Sequence, residues 1–283
     1  VKGHGHFGLI TTADHRFLAS TQGRKWSTSP RGYRRTLSEP EWTPAERLKG
    51  KRWLSPCHFP ESTPPSIACV GQEKAVDSSE GNLAFWRFVG RWLGDGWVRE
   101  TSRRSWVILC CGNHERKGVR RLLCESGLKY SDHESGSVIR FVISSKPLAR
   151  WLTAQFGSGA SGKTVPSWML GSPVREAFFE GYIDADGCRS GGVIKATTVS
   201  RYIACGMKLL AQSLGYAVSW HQSHAAGKTT IEGREVNTRD TYQLVFSSRP
   251  REAMFVNQRV ATRVRSVVES EERTVYDIEV EAD

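Results

Sequence analysis

The stretch FFEGYIDADGCRS, Phe178 to Ser190, ends an apolar, helix-like run in two aspartates and a glycine. Carboxylates favour the opposite end of a helix, where the backbone dipole is positive. At the C-terminal end two acids cost stability unless they face a cation or sit in a tight turn. The stretch has a counterpart earlier in the chain, FWRFVGRWLGDGW over 85–97. There Gly90 is followed four residues later by Gly94 and then Asp95; in the later copy Gly181 is followed four residues later by Ala185 and then Asp186. Small residues four apart share one helix face, and a stripe of them lets two backbones approach closely. Helices packed along these stripes bring Asp95 and Asp186 side by side. Two bare carboxylates there repel each other, and a shared divalent cation, which takes hard oxygen ligands, removes the repulsion.

The correspondence extends outward. VRRLLCESGLKYS (119–131) matches MKLLAQSLGYAVS (207–219), and FVISSKP (141–147) matches LVFSSRP (244–250). Matches in the same order imply two copies of one α/β unit, each starting with a helix and continuing through strands, a helix and more strands. A duplicated unit gives a pseudo-two-fold monomer, a symmetry shared by duplex DNA half-sites.

Outside this block the chain changes character. HFGLITTADHRFLAS (6–20) and RLKGKRWLSPCHF (47–59) read as short strands and loops, GQEKAVDSSEGN (71–82) as a polar linker, and TVYDIEV (274–280) as a closing strand. The two ends resemble each other more than the middle, which implies one β-rich domain interrupted by an insertion. The expected layout is 1–75, then 83–255 as repeats of about 83–170 and 171–255, then 256–283.

Composition narrows the partners. The 283 residues carry a net charge of +11 and a pI of about 9.5, which favours a polyanion through release of phosphate counterions. The seven cysteines include no CxxC pair, which argues against a zinc ribbon or redox motif. Reduced, mostly buried thiols and a cytoplasmic setting are expected. No apolar run approaches the ~18 residues of a membrane span, and no signal peptide opens the chain. Val1 in place of an initiator Met suggests a longer parent.

With both acidic helices and the repeat in view, the middle block resembles a two-repeat LAGLIDADG homing endonuclease. The motif letters fall on Phe88–Gly96, with the GDG variant, and on Phe179–Gly187, with the DADG ending. The resemblance implies an α+β fold, helices on curved antiparallel sheets, inserted in the β-rich domain. It implies metal-dependent cleavage of double-stranded DNA at a long site. Asp95 and Asp186, together with Gly94 and Ala185, would bind Mg²⁺ (or Mn²⁺). KTVPSWML (163–170) resembles the Lys-x-x-Pro segment of the family, so Lys163 is expected to polarise the attacking water or stabilise phosphate charge. No matching lysine is evident in the second copy.

DNA contacts are expected from the hairpins that follow each acidic helix, WVRETSRRSWVI (97–108) and CRSGGVIKATTV (188–199). Arg99, Arg103 and Arg104 in one and Arg189 and Lys195 in the other can reach bases or phosphates. The flanking stretches TTADHRFLAS (11–20) and TVYDIEVEAD (274–283) are similar to intein (Hint-type) splicing blocks, which implies splicing roles for Thr12, His15 and Asp277. Residue 1 is Val rather than a Cys or Ser nucleophile, and no terminal His-Asn pair follows. The expectation is therefore an endonuclease carried by an intein that does not splice as it stands. The rivals are a DNA- or RNA-binding LAGLIDADG relic, regulator or maturase, and a protein-splicing element in a longer form.

Overall fold

Short, interrupted apolar runs at the two ends of the chain build one unit, and the duplicated block builds another. The computed structural model describes residues 1–3, 9–28, 32–68, 75–231, 233–248 and 253–269. One unit takes Val1–Cys57 together with the chain after Ser248; the other spans His58–Ser248. The first six strands are β1 (Lys2–Gly3), β2 (Arg16–Ser20), β3 (Gln22–Trp26), β4 (Tyr33–Leu37), β5 (Glu41–Pro44) and β6 (Arg52–Pro56).

The middle unit runs α1 (Leu83–Asp95), β7 (Gly96–Glu100), β8 (Ser105–Gly112), α2 (Arg116–Glu125), β9 (Ser131–Ser135), β10 (Val138–Ser144) and α3 (Lys146–Phe156). It then repeats as α4 (Arg175–Asp186), β11 (Gly187–Ser190), β12 (Val193–Thr198), α5 (Arg201–Ser213), β13 (Ala217–His224), β14 (Gly227–Ile231), β15 (Arg234–Thr238) and β16 (Thr241–Ser247). The two four-stranded antiparallel sheets, β7-β8-β10-β9 and β11-β12-β16-β13, have the same topology once the β14–β15 hairpin is set aside as an insertion in the second copy. Alternation places Ile139, Phe141 and Ile143 of β10, and Tyr242, Leu244 and Phe246 of β16, on the covered faces.

Local signals explain the helix starts. Asn82 and Ser200 cap α1 and α5 by accepting from the backbone N–H of Phe85 (3.1 Å) and Ile203 (3.1 Å). In SSKP, Ser145 caps α3 by accepting from Leu148 N–H, with Pro147 in the first turn. Helix α1 is buried from Phe85 to Leu93 except at Arg87, as befits a helix apolar on nearly every side.

The remaining strands, β17 (Ala253–Val256) and β18 (Arg259–Ser266), return to the first unit. Its antiparallel sheet has the order β1-β18-β6-β2-β5, with β17 also on β18. Thr262 lies opposite Trp53 and Arg259 opposite Pro56, so strands from before and after the middle unit share one sheet. Ala19, Leu48, Trp53 and Val264 form its core, with Phe17 packed against them. Buried Arg52 donates to the Gln22 side chain at 2.6 Å and to the Ala261 carbonyl at 3.3 Å.

Three readings of the sequence differ from this arrangement. Residues 58–68 join the middle unit rather than the first block: the Ser62 hydroxyl donates to the Trp168 carbonyl, and Trp151 Nε1 donates to the Pro65 carbonyl at 3.1 Å. The described part of the polar linker is an ordered approach to α1, in which Trp86 Nε1 donates to the Ser79 carbonyl at 3.0 Å. Six described cysteines are free thiols, but Cys124, Cys188 and Cys205 are exposed rather than buried. The TVYDIEV stretch, with Asp277, lies outside the described residues. No helix among the described residues is long and apolar enough to cross a membrane.

Candidate active site

The glycine stripes set the geometry of the site. A Cβ on Gly90 would fall 1.9 Å from the Phe178 carbonyl oxygen, and a Cβ on Gly181 would fall 1.9 Å from that of Arg87. These contacts are reciprocal, since Gly181 and Phe178 stand at the same offset from Gly90 and Arg87. Helices α1 and α4 therefore cross with backbone against backbone about a local pseudo-two-fold axis. Farther along, a Cβ on Gly94 would lie 2.6 Å from the Ala185 Cβ and 3.1 Å from Asp186 Oδ2. The space a side chain would fill at Gly94 thus opens onto the Asp186 carboxylate.

Each helix ends on its aspartate and turns directly into a strand. Gly96 N–H donates to the Trp92 carbonyl, and Gly187 N–H to that of Ile183. A side chain cannot fit at either glycine: a Cβ on Gly96 would meet Trp92 Cδ1 at 2.1 Å, and one on Gly187 would meet the Ile183 carbonyl at 2.5 Å. The acids thus occupy a tight turn and also face a cation.

That cation is Lys163, only 3% exposed. Its Nζ donates to the carbonyls of Trp92 (2.9 Å), Leu93 (2.9 Å) and Gly96 (2.6 Å), and it lies 4.3 Å from the centre of the Trp92 ring. An ammonium has three N–H donors, and all three are taken by the end of α1. This differs from the sequence reading, which aimed Lys163 at water or a phosphate oxygen; here it caps the helix that carries Asp95. Its own carbonyl accepts from Ser200 Oγ at 2.7 Å, linking the α5 N-terminus to the α1 C-terminus.

The electrostatics follow from burial. Asp186 is pushed up to about 6, first by burial and then by Asp95, with Lys163 offsetting part of the effect. Asp95 is raised chiefly by burial; Arg91 and Lys163 act against the rise and Glu115 adds to it. Burial drives Lys163 down to about 8, although both carboxylates favour its charge.

The two halves differ in what surrounds each acid. Beside Asp95, the Arg91 guanidinium bonds the Glu115 carboxylate at 2.5 Å, and Glu115 also accepts from Gly112 N–H at 3.2 Å. At the equivalent position of α4 stands Tyr182, whose buried hydroxyl lies beside Asp186 and Thr198. Burial raises Tyr182 well above its usual range, and the nearby Asp186 charge adds to this. Arg91, Glu115 and Tyr182 were not among the candidate residues read from the sequence. The unlike residues at matched motif positions 91 and 182 were the available signal.

Among the described residues, no group of three or more His, Cys, Asp and Glu side chains converges to hold a metal. The donors at the helix ends are two carboxylates and backbone oxygens. They suit Mg²⁺, which binds through one or two carboxylates and completes its shell with water and substrate phosphates.

The hairpins present their basic residues outward. Arg99, Arg103, Arg104, Arg189 and Lys195 are all exposed. Arg99 lies over the Trp106 ring at 5.9 Å, and Arg189 is held by Glu180 of α4 at 2.5 Å. In the first unit, Thr12 and His15 are exposed in the turn before β2. His15 packs edge-on against Phe17 and passes its carbonyl to Ala45 N–H at 2.9 Å.

Residues 173–255 match the family model of a LAGLIDADG-like domain. The chain is 29% identical over 230 residues to the ATP-dependent DNA helicase Hel308 of Thermococcus kodakarensis, covering 70% of this chain and 20% of the helicase. It thus spans about one fifth of that relative's length. Similar solved structures include the homing endonuclease I-DmoI in complex with DNA and Mn, at 13% identity and a TM-score of 0.43, covering 60% of this chain and 91% of that one. Full-length DUF199/WhiA from Thermatoga maritima is similar at 9% identity and a TM-score of 0.38, covering 60% of this chain and 52% of the other.

Proposed function

We propose that the chain is a site-specific DNA endonuclease that uses Mg²⁺ or Mn²⁺ and is carried by an intein-type element. The observation that carries this reading is the reciprocal packing of α1 and α4, which delivers Asp95 and Asp186 to adjacent, partly buried helix ends. Charge density there is unfavourable for the protein alone and favourable for a divalent cation. Asp95 and Asp186 would hold it, with the backbone at Gly94 and Ala185 beside them. A metal bound there supplies an activated water and neutralises the leaving oxygen of a phosphodiester.

The protein's own groups do the rest. Lys163 fixes the end of α1 and so the position of Asp95. Arg91 and Glu115 brace the first half of the site, and Tyr182 lies against Asp186 in the second. Arg99, Arg103, Arg104 and Lys195 hold the duplex over the sheets, and Arg189 joins them by leaving Glu180. Because the two copies supply both halves of the site, one chain suffices and the protein acts as a monomer.

The intein part of the reading rests on the interrupted β unit, where β6 pairs with β18 across the inserted block, and on the exposed Thr12 and His15 beside β2. A match confined to one fifth of a DNA helicase fits an element lodged in a longer host.

The test is digestion of a genomic DNA library by the purified chain with Mg²⁺ or with EDTA, followed by sequencing of the broken ends. Discrete ends that need Mg²⁺ and disappear in Asp95→Asn and Asp186→Asn, with DNA binding kept, are expected. Undiminished cleavage by either variant would overturn the two-carboxylate mechanism. Tight binding without any cut would favour a DNA-binding relic.

A further inference from the structure

The hairpin of β3 and β4 pairs with no other strand among the described residues. Its register sets Arg24 opposite Arg35, Lys25 opposite Arg34, and Trp26 opposite Tyr33. All six side chains are exposed. Like charges directly opposite one another destabilise a strand pair, and a two-stranded ribbon without a buried face is marginal by itself. Among the described residues no carboxylate forms an ion pair with Arg24, Lys25 or Arg34. Trp26 is 70% and Tyr33 58% exposed, yet they form an edge-on pair with ring centres 4.9 Å apart. Among the described residues no ion pair offsets the facing Lys25 and Arg34, and the aromatic pair stays exposed.

We infer that this ribbon is a second DNA-contact surface, in the β unit rather than the endonuclease-like unit, and that it binds the phosphates of duplex DNA. A two-stranded ribbon fits the major groove. Alternation puts Arg24 and Arg35 on one face and Lys25 and Arg34 on the other. A groove offers phosphates on both of its walls, whereas an anionic membrane is a single plane and would engage one face. Trp26 and Tyr33 add apolar contact to the sugars at the end of the ribbon. The inference rests on the DNA-binding part of the proposed function and not on cleavage.

The test uses the full chain in EDTA with a labelled duplex of arbitrary sequence, read by fluorescence anisotropy as KCl is raised. Each phosphate contact contributes about 0.9 to the slope of log K against log salt. The triple variant Arg24→Gln, Lys25→Gln, Arg34→Gln should therefore flatten the slope by about 2–3. Arg24→Lys with Arg34→Lys should keep the slope, which a folding defect would not. An unchanged slope in the triple variant, while the wild-type chain binds DNA, overturns this inference alone. A wild-type chain that binds no duplex overturns it together with the DNA-binding part of the proposed function. An unchanged DNA slope with lost binding to phosphatidylserine vesicles would assign the ribbon to a membrane surface instead.

Discussion

Replacing Asp186 by Asn removes a charge that the fold holds at a cost. The folded protein keeps the Asp186 proton up to about 6, whereas an ordinary aspartate loses it near 3.8. Between these values the folded state binds more protons than the unfolded state, so stability falls as pH rises through the window. At roughly 1.36 kcal/mol per pH unit the full effect is about 3 kcal/mol, discounted to about 2–3 kcal/mol for residual contact with water. Asn has the same shape and no charge. In EDTA, Asp186→Asn should match the wild type near pH 4 and exceed it by about 2–3 kcal/mol above pH 6. For a unit of this size that is about 4–12 °C in Tm. The assay is thermal or urea unfolding in EDTA from pH 4 to pH 8, repeated with Mg²⁺. With Mg²⁺ the wild type should regain stability and the variant should not. A difference that does not grow with pH would refute the account of the buried carboxylate, whatever the cleavage activity.

Gly90→Ala and Gly181→Ala each drive a Cβ into a backbone oxygen of the facing helix, so each should cost about 3 kcal/mol or more in urea unfolding, by similar amounts. Gly118→Ala in α2 meets nothing within 4 Å and should stabilise by about 0.5–1 kcal/mol. Lys163→Met takes the ammonium from the Leu93 and Gly96 carbonyls, while the Trp92 carbonyl keeps Gly96 N–H, and should cost about 2 kcal/mol or more. Lys163 is held near 8 by burial, so between there and the ordinary lysine value the folded state binds fewer protons, and wild-type stability should gain with rising pH. The Met variant should lack that gain in a pH series of urea unfolding.

The sequence by itself determined the duplication, the two acidic helix ends, the small-residue stripes and the interrupted β layout. Each is written in local spacing: Gly94 four positions after Gly90, or a serine cap before a proline in SSKP. Only the tertiary structure decided what Lys163 does, because its three acceptors lie about 70 positions away in sequence and meet it through folding. The same holds for Arg91 with Glu115, for Tyr182 beside Asp186, and for residues 58–68, whose partners are Trp151 and Trp168. Backbone periodicity is imposed by neighbours along the chain and can be read from them. The partner of a buried polar group is whichever distant segment packing brings within hydrogen-bond reach, and no spacing records it.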